Sequence, residues 1–501
     1  MEVKGNHEGM ASQTRDPTLY TEGGASTTSK VVRYWNPQLK IPDEDIIQSK
    51  KKLMARSLAL FKNNSIAAAA IKKIVANVVG PGLKVKSTID AKLLGVDEEQ
   101  KEKLEKQIET LWEMWTKSTQ CDYRRMSNFS ELQSQYVYAW LIFGEGLAIL
   151  PSDQRTGDIV SLKIDLVENH RLEAETSNNF LKNIVNGVEL DNHGRIAAYH
   201  FSTALKSQRK TYSRIGAYDA LGRKNVLCLF TKERVGQRVG LPVLTPVITD
   251  LKRVGQWQKA EIDAAVTTAL HPIFIKRDIN STVSVTGRDE EEKTVVENGE
   301  VRKVVTKKVE GGSITELSPG ESVEVVEGGR NAIAYDTFLI TTCKTIGAAL
   351  ELPYEVLLTA FSSNYSASRA AILEAWKMYL QRRARVKESF CEPIYEQFID
   401  EIVARGYIDI PGYFQNPLVK KAVLRAEWYG PIQGSIDPKK EAEADAINLG
   451  NGTKSRARIA RENGTDWDQT VEQLAYEERV MREKGVSKTK VTVGGDSGGE
   501  E

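Results

Sequence analysis

The sequence predicts an α+β fold that is mainly helical, and three observations carry that reading. Apolar residues recur at helical spacing over 43–79, 97–119, 240–270 and 368–405. Between 160 and 235 short strand-like runs alternate with turn signals. A polar, turn-rich stretch at 278–330 lies between two helical patterns, as a small β-rich insertion would.

In chain order, residues 1–30 are rich in Gly, Ser, Thr and charge and read as a disordered N-terminal arm. Order is expected to begin at "VVRYWNPQLKIP", 31–42. Two helices follow, broken near Asn63–Asn64, with Leu53, Leu58, Ile66, Ala70, Ile71 and Ile74 near helical spacing. Gly80-Pro81-Gly82 ends the second, and "LKVKS" reads as a strand. Helices are predicted over 97–119 and 128–142, then the strand "GEGLAIL". The runs "VSLKIDLV", "NIVNGVELD", "RIAAYHF" and "NVLCLF" read as strands, with "DNHGR" as a hairpin turn.

Over 240–270, Pro242 and Pro246 suit the first turns of a long helix, where no backbone donor is lost. Leu244, Val247, Ile248, Leu251 and Val254 make its apolar face. Lys252, Gln256, Lys259 and Asp263 make a separate polar stripe. A helix over 334–352 leads into "TAFSSNYSASRAAILEAW", 359–376. There an aromatic, serine-rich loop meets a strong helix, with Ser366 or Ser368 able to cap it. The helical pattern at 368–405 places Leu373, Trp376, Leu380, Phe390, Ile394, Phe398 and Ile402 on one side, with a kink at Pro393. Three helices are expected over 437–482, started by Asp437-Pro438 and stopped at Gly450 and Gly464. Residues 485–501 read as a disordered tail.

The composition is that of a soluble globular chain: 501 residues, 41% apolar and 27% charged. Lys plus Arg is 69 against Asp plus Glu at 68, so no global basic excess points to tight duplex binding. Four scattered cysteines, Cys121, Cys228, Cys343 and Cys391, form no zinc or disulfide pattern and suit a reducing compartment. No apolar run is long enough for a membrane span, and the N-terminus has no signal core.

Chemistry is scarce. No P-loop, H-E-x-x-H, G-x-S-x-G or G-x-G-x-x-G occurs. The five histidines have no partners at metal-ligand spacing, and "DEEE" at 289–292 lacks the spacing and glycine of a calcium loop. Gly144-Glu145-Gly146 fits a strand-entry bend better than a catalytic glutamate. Arg382, Arg383 and Arg385, in "QRRAR", are possible phosphate contacts. We expect no catalytic constellation, cofactor or metal, and a structural protein rather than an enzyme.

Taken together, several segments are similar, in order, to the lambda-type portal proteins of tailed bacteriophages. They are "RYWNP" at 33–37, "LFKNNSIAAAAI" at 60–71, "NVVGPGLKV" at 77–85, the whole of 234–266, "SPGESVEV" at 318–325, "ALELPYEVLLTAFSSNYSASRAA" at 349–371, "GSIDPKKEAEADAINLG" and "ENGTDWDQTVEQLAYE". The resemblance spans about residues 30–483 and is weakest at 278–310. It implies a portal fold assembled as a ring, commonly of twelve copies, at one capsid vertex. In that plan 31–240 is the wing, 241–272 and 334–352 are the stem helices, and 273–333 is the clip. Residues 353–367 are the tunnel loop, 368–435 the long kinked helix with the rest of the wing, and 436–484 the crown. Phe361, Ser362, Ser363, Asn364 and Tyr365 would form the loop tip facing DNA. The implied partners are further copies of the chain, double-stranded DNA held without sequence preference, the terminase motor, capsid and scaffolding proteins, and a tail connector. No membrane is implied. The implied location is the virion's portal vertex, after assembly in the host cytoplasm. Two rival readings are a nucleic-acid-processing enzyme with the loop as its lid and another head–tail adaptor ring protein. The first needs clustered carboxylates or His/Lys near the loop, and the second is usually a much shorter chain.

Overall fold

A computed structural model describes residues 25–26, 29–174, 184–203, 211–269, 273–277, 290–297, 300–307, 321–325, 332–360, 365–433, 438–465 and 467–484. The fold is mainly helical with several small sheets. Helix α1 (Pro42–Asn63) starts with proline in its first turn, followed by three acids that complement the helix dipole. The break at Asn64 is a shared cap. Its backbone N–H closes the last turn of α1, while its side chain accepts from Ala67 N and so starts α2 (Ser65–Val78). Strand β1 (Lys84–Ser87), helices α3 (Ala91–Leu94) and α4 (Glu98–Lys117), and α5 (Phe129–Phe143) follow. Asn128 and Glu131 form a reciprocal capping box at the start of α5.

The next strands are β2 (Glu145–Ile149), β3 (Asp165–Leu166), β4 (Ile184–Val185), β5 (Val188–Leu190), β6 (Ile196–Ser202), β7 (Tyr212–Gly216) and β8 (Val226–Phe230). They make two antiparallel sheets, ordered β3-β2-β8 and β4-β5-β6-β7. Asp191 organises the expected turn before β6 by accepting from the N–H groups of His193 and Arg195. Helix α6 (Ile248–Ala269) leads to β9 (Ile273–Arg277), β10 (Glu290–Glu297), β11 (Glu300–Lys307) and β12 (Glu321–Val325), and α7 (Ala332–Ala349) returns. Within this bracket β10 pairs with β11 and β9 with β12.

The last third comprises α8 (Tyr354–Leu358), α9 (Tyr365–Val386), a π turn (Lys387–Cys391), α10 (Glu392–Ala404), α11 (Pro417–Val423), β13 (Ala426–Tyr429), α12 (Pro438–Gly450), α13 (Arg456–Glu462) and α14 (Trp467–Glu483). The irregularity expected at Pro393 is this π turn, which widens the helix just where the proline ring would meet the carbonyl of Ser389. Strand β13 pairs with β1. The core centres on Trp112 of α4, whose ring meets Phe129, Tyr395 and Phe398 edge-on at 5.1–5.3 Å. Trp428 closes the cluster from β13. These rings draw α4, α5, α10 and β13 into one apolar interior.

Three expectations need correction. Pro242 lies ahead of α6; only Pro246 sits in the 3-10 turn that leads into it. Leu373 and Leu380, seven residues apart, are about half exposed, and the buried stripe of α9 is Ala375, Met378, Tyr379 and Val386. Side-chain size was a poor guide there, because the stripe is chosen by what packs against α9. Helix α9 begins at Tyr365, so Ser366 and Ser368 are inside its first turn and neither is the residue that precedes it. The five predicted apolar residues are all buried, Ile248, Leu251 and Val254 on α6 and Leu244 and Val247 at the 3-10 turn ahead of it.

Candidate functional site

The loop between α8 and α9 is held on a defined base. Residues 361–364, and with them the expected tip residues Phe361, Ser362, Ser363 and Asn364, lie outside the described residues. Tyr365 is the first residue of α9. On the α8 side, Lys73 of α2 donates its ammonium protons to the carbonyls of Val356 and Leu357 and to the Thr359 hydroxyl. The C-terminal carbonyls of a helix lack intrahelical partners and carry partial negative charge, so a cation is well placed there. Burial lowers the Lys73 pKa from its ordinary value. Thr359 takes a left-handed conformation, φ 57°, which turns the chain sharply out of α8.

A cavity of about 710 Å³ lies beside this base, between the end of α7, α8 and α9. Its charged lining is mixed, with Lys344 and Lys377 against Glu351, Glu355 and Glu374. Lys344 sits over the Tyr354 ring at 4.9 Å, and Glu351 pairs with Arg382 at 3.5 Å. Nothing here concentrates positive charge.

On α6, Lys252, Gln256, Lys259 and Asp263 are all exposed, opposite buried Leu251 and Val254. The same helix meets α7 through Trp257 and Phe338, with ring centroids 4.6 Å apart. At the head of α6, Glu145 of β2 is enclosed. It accepts from Lys50 Nζ of α1 at 2.7 Å, from Gly240 N at 2.8 Å and from Asn169 Nδ2 at 3.2 Å. Gly144 and Gly240 must both be glycine, since a Cβ on Gly240 would lie 2.0 Å from the Gly144 carbonyl oxygen. Glu145 is therefore a structural anchor, in line with the strand-entry reading.

Residues 28–383 match the family model of the phage portal protein, lambda family. The chain belongs to that family. Across its length it is 21% identical to portal protein B of Escherichia phage lambda, covering 93% of this chain and 90% of that protein. It is equally 21% identical to the portal protein of Escherichia phage N15, covering 93% and 91%. A solved chain from the neck of a native gene transfer agent particle, computed with C12 symmetry, superposes with a TM-score of 0.46. That chain is 12% identical, and the match covers 83% of this chain and 98% of that one. As a portal protein the chain is a structural component of a virion and not an enzyme.

Within this portal protein the three arginines singled out from sequence have different surroundings. Arg383 donates to the carbonyls of Asn77, Val78 and Pro431, closing the C-terminal end of α2, and burial pushes its pKa down to about 10. With Nε and Nη2 committed to these carbonyls, Arg383 has a structural role. Arg382 is mostly buried against Glu351. Arg385 is half-buried and lines a separate cavity of about 490 Å³ with Lys224, Lys232, Arg238 and Glu388. The structure thus brings the loop base together with α2, which sequence reading missed. The one hint was a lysine pair inside the otherwise apolar "SIAAAAIKKIVANV": Lys72 is exposed and Lys73 turns inward. Its partners lie some 280 residues away, beyond the reach of any local pattern.

Among the described residues no group of three or more His, Cys, Asp or Glu is arranged to hold a metal ion. His200 pairs with Glu189 at 2.7 Å and His170 with Glu168 at 2.9 Å. Burial pushes the Cys121 thiol up to about 12, far from thiolate chemistry. Among the described residues no helix is long and apolar enough to cross a membrane.

Proposed function

We propose that this portal protein assembles into a closed ring of twelve copies at the virion's portal vertex, forming the channel through which genomic DNA is packaged and later ejected. Residues 31–240 and 368–435 form the wing, 241–272 and 334–352 the stem, 273–333 the clip and 436–484 the crown. The clip receives the terminase motor during packaging and a tail connector afterwards. Capsid and scaffolding proteins surround the ring, which assembles in the host cytoplasm. Within 353–367 the loop between α8 and α9 reaches into the channel with Phe361, Ser362, Ser363 and Asn364 at its tip and Tyr365 behind them at the start of α9, and Lys252, Gln256, Lys259 and Asp263 face the channel or a subunit seam.

The observation that carries this reading is the family match across residues 28–383, which spans the paired helices α6 and α7 and the loop base fixed by Lys73. The physics of sliding supports it. Each phosphate that is neutralised adds to binding and slows passage. A channel suits balanced charge and neutral hydroxyl or amide contacts, which position a duplex without reading it. The net charge of +1 and the mixed lining beside the loop are of that kind. Negative-stain microscopy of the purified chain tests the ring, and a central hole is expected. Replacing 361–365 with a Gly-Ser linker should leave rings intact while packaging or retention of full-length DNA falls. Normal packaging by that variant, or a loop on the outer wall of the ring, would overturn the assignment of the loop.

A further inference from the structure

The segment before α1 is exposed in a way that one folded chain does not explain. Val31, Tyr34, Trp35, Leu39 and Ile41 fall within eleven residues, and their exposure runs from 59% at Ile41 to complete at Leu39. Single exposed apolar residues are ordinary, but a run this dense marks a contact surface. The segment is nonetheless ordered at both ends. At its start Val32 N and Arg33 N donate to Ser29 O, Trp35 N donates to Val32 O, and the Arg33 guanidinium lies 4.6 Å from the Tyr34 ring centre. At its end Arg234 donates to Lys40 O at 2.8 Å and pairs with Asp45, while Arg238 pairs with Asp43 at 2.7 Å. Among the described residues no backbone hydrogen bond ties Asn36–Leu39 to the rest of the chain. Beside the anchoring Arg234, Val235 is also fully exposed.

We infer that residues 31–41 form a strap that docks onto a second copy of this chain, with Val235 at the edge of the same contact. The inference rests on the ring reading above and adds which segment binds the neighbour. The five side chains expose roughly 800 Å², about one partner's share of a standard stable interface. A head-to-tail ring contact needs two complementary surfaces on one chain. The strap brings Arg33 and Lys40 with no carboxylate, whereas the chain as a whole is balanced, 69 basic against 68 acidic residues. Any carboxylate that meets the strap therefore comes from another part of the same sequence. Asp43 and Asp45 are already engaged by Arg238 and Arg234, so the strap leaves from a fixed post.

Two measurements on the full chain test this. In the first, mass photometry compares ring formation by the natural chain and by the Tyr34→Ser/Trp35→Ser/Leu39→Ser variant. The variant should need a roughly tenfold or greater concentration to form rings, with an unchanged melting temperature. In the second, p-benzoylphenylalanine in place of Trp35 is photoactivated and the cross-linked peptides are mapped. Cross-links between two chains are expected. Cross-links confined to one chain, or rings formed by the variant at unchanged concentration, overturn the strap while leaving the ring reading in place. A natural chain that stays monomeric at every concentration overturns both.

Discussion

Replacing Glu145 by glutamine should cost about 3 kcal/mol of stability, although shape and volume barely change. The carboxylate is 1% exposed and its partner Lys50 3% exposed, with 2.7 Å between Oε1 and Nζ. Removing one member of a buried ion pair typically costs about 3–5 kcal/mol, because the remaining charge is stranded out of water. The lower end applies here. The new amide keeps an oxygen for Lys50 and Gly240 N, and the Asn169 side-chain oxygen, which has no hydrogen-bond partner among the described residues, can accept from the new NH₂ once its amide turns. What is lost is the charge that balances Lys50. Urea unfolding followed by tryptophan fluorescence reads the cost as a lower midpoint, and Lys50→Met completes a double-mutant cycle. Coupling of about 2 kcal/mol or more is expected for groups in such direct contact. Hydrogen exchange at Gly240 should rise in parallel, because its N–H is the donor to Glu145, whereas Arg238 N on Asp43 and Val243 N on Leu141 keep their own ties. A cost below about 1 kcal/mol with coupling near zero would refute the argument, since Lys50 would then not depend on the carboxylate's charge.

Further outcomes follow from the same geometry. Lys73→Met removes the cation from the end of α8, so amide exchange at Thr359 and Ala360 should rise about tenfold, matching the loss of a charge-assisted hydrogen bond; unchanged exchange would show that Lys73 does not hold the loop base. Charge reversal at both Lys252 and Lys259 should impair ring closure or DNA passage while the isolated chain melts normally, because both are exposed; normal rings and normal packaging would remove them from the channel or seam. Glu189 is held down to about 2, first by Arg214 and then by His200, with burial opposing them. A depressed carboxyl contributes stability above its unfolded value and loses it as pH falls through the folded one, so this contribution fades from about pH 4.5 to about pH 2. Glu189→Gln should therefore cost about 1 kcal/mol at pH 6, a modest figure because the Arg214 side chain is half exposed. That cost should vanish in acid, and a cost independent of pH would refute the assignment.

Much of the architecture was legible in the sequence because it is decided within a few residues. The Asn64 break, the stop at Gly464 and the buried apolar run from Leu244 to Val254 each follow from local caps or from helical periodicity, whereas Gly450 is the last residue of α12 and the left-handed turn comes at Gly452. The helix–insertion–helix order and the co-linear segments pointed to the portal family for the same reason. Pairings across long stretches of chain were decided only by the tertiary structure. Arg383 reads as a free surface cation in "QRRAR", yet it closes α2 some 300 residues earlier. Leu373 and Leu380 read as core, yet Ala375 and Met378 are the residues that meet neighbouring elements. Lys73 beneath the loop and Lys50 against Glu145 could not be read from local pattern. A lysine's own sequence neighbourhood sets its helix and its face, but the oxygens it meets are brought there by packing. A short-range pattern carries no information about which distant carbonyl or carboxylate will arrive, and that choice belongs to the folded chain.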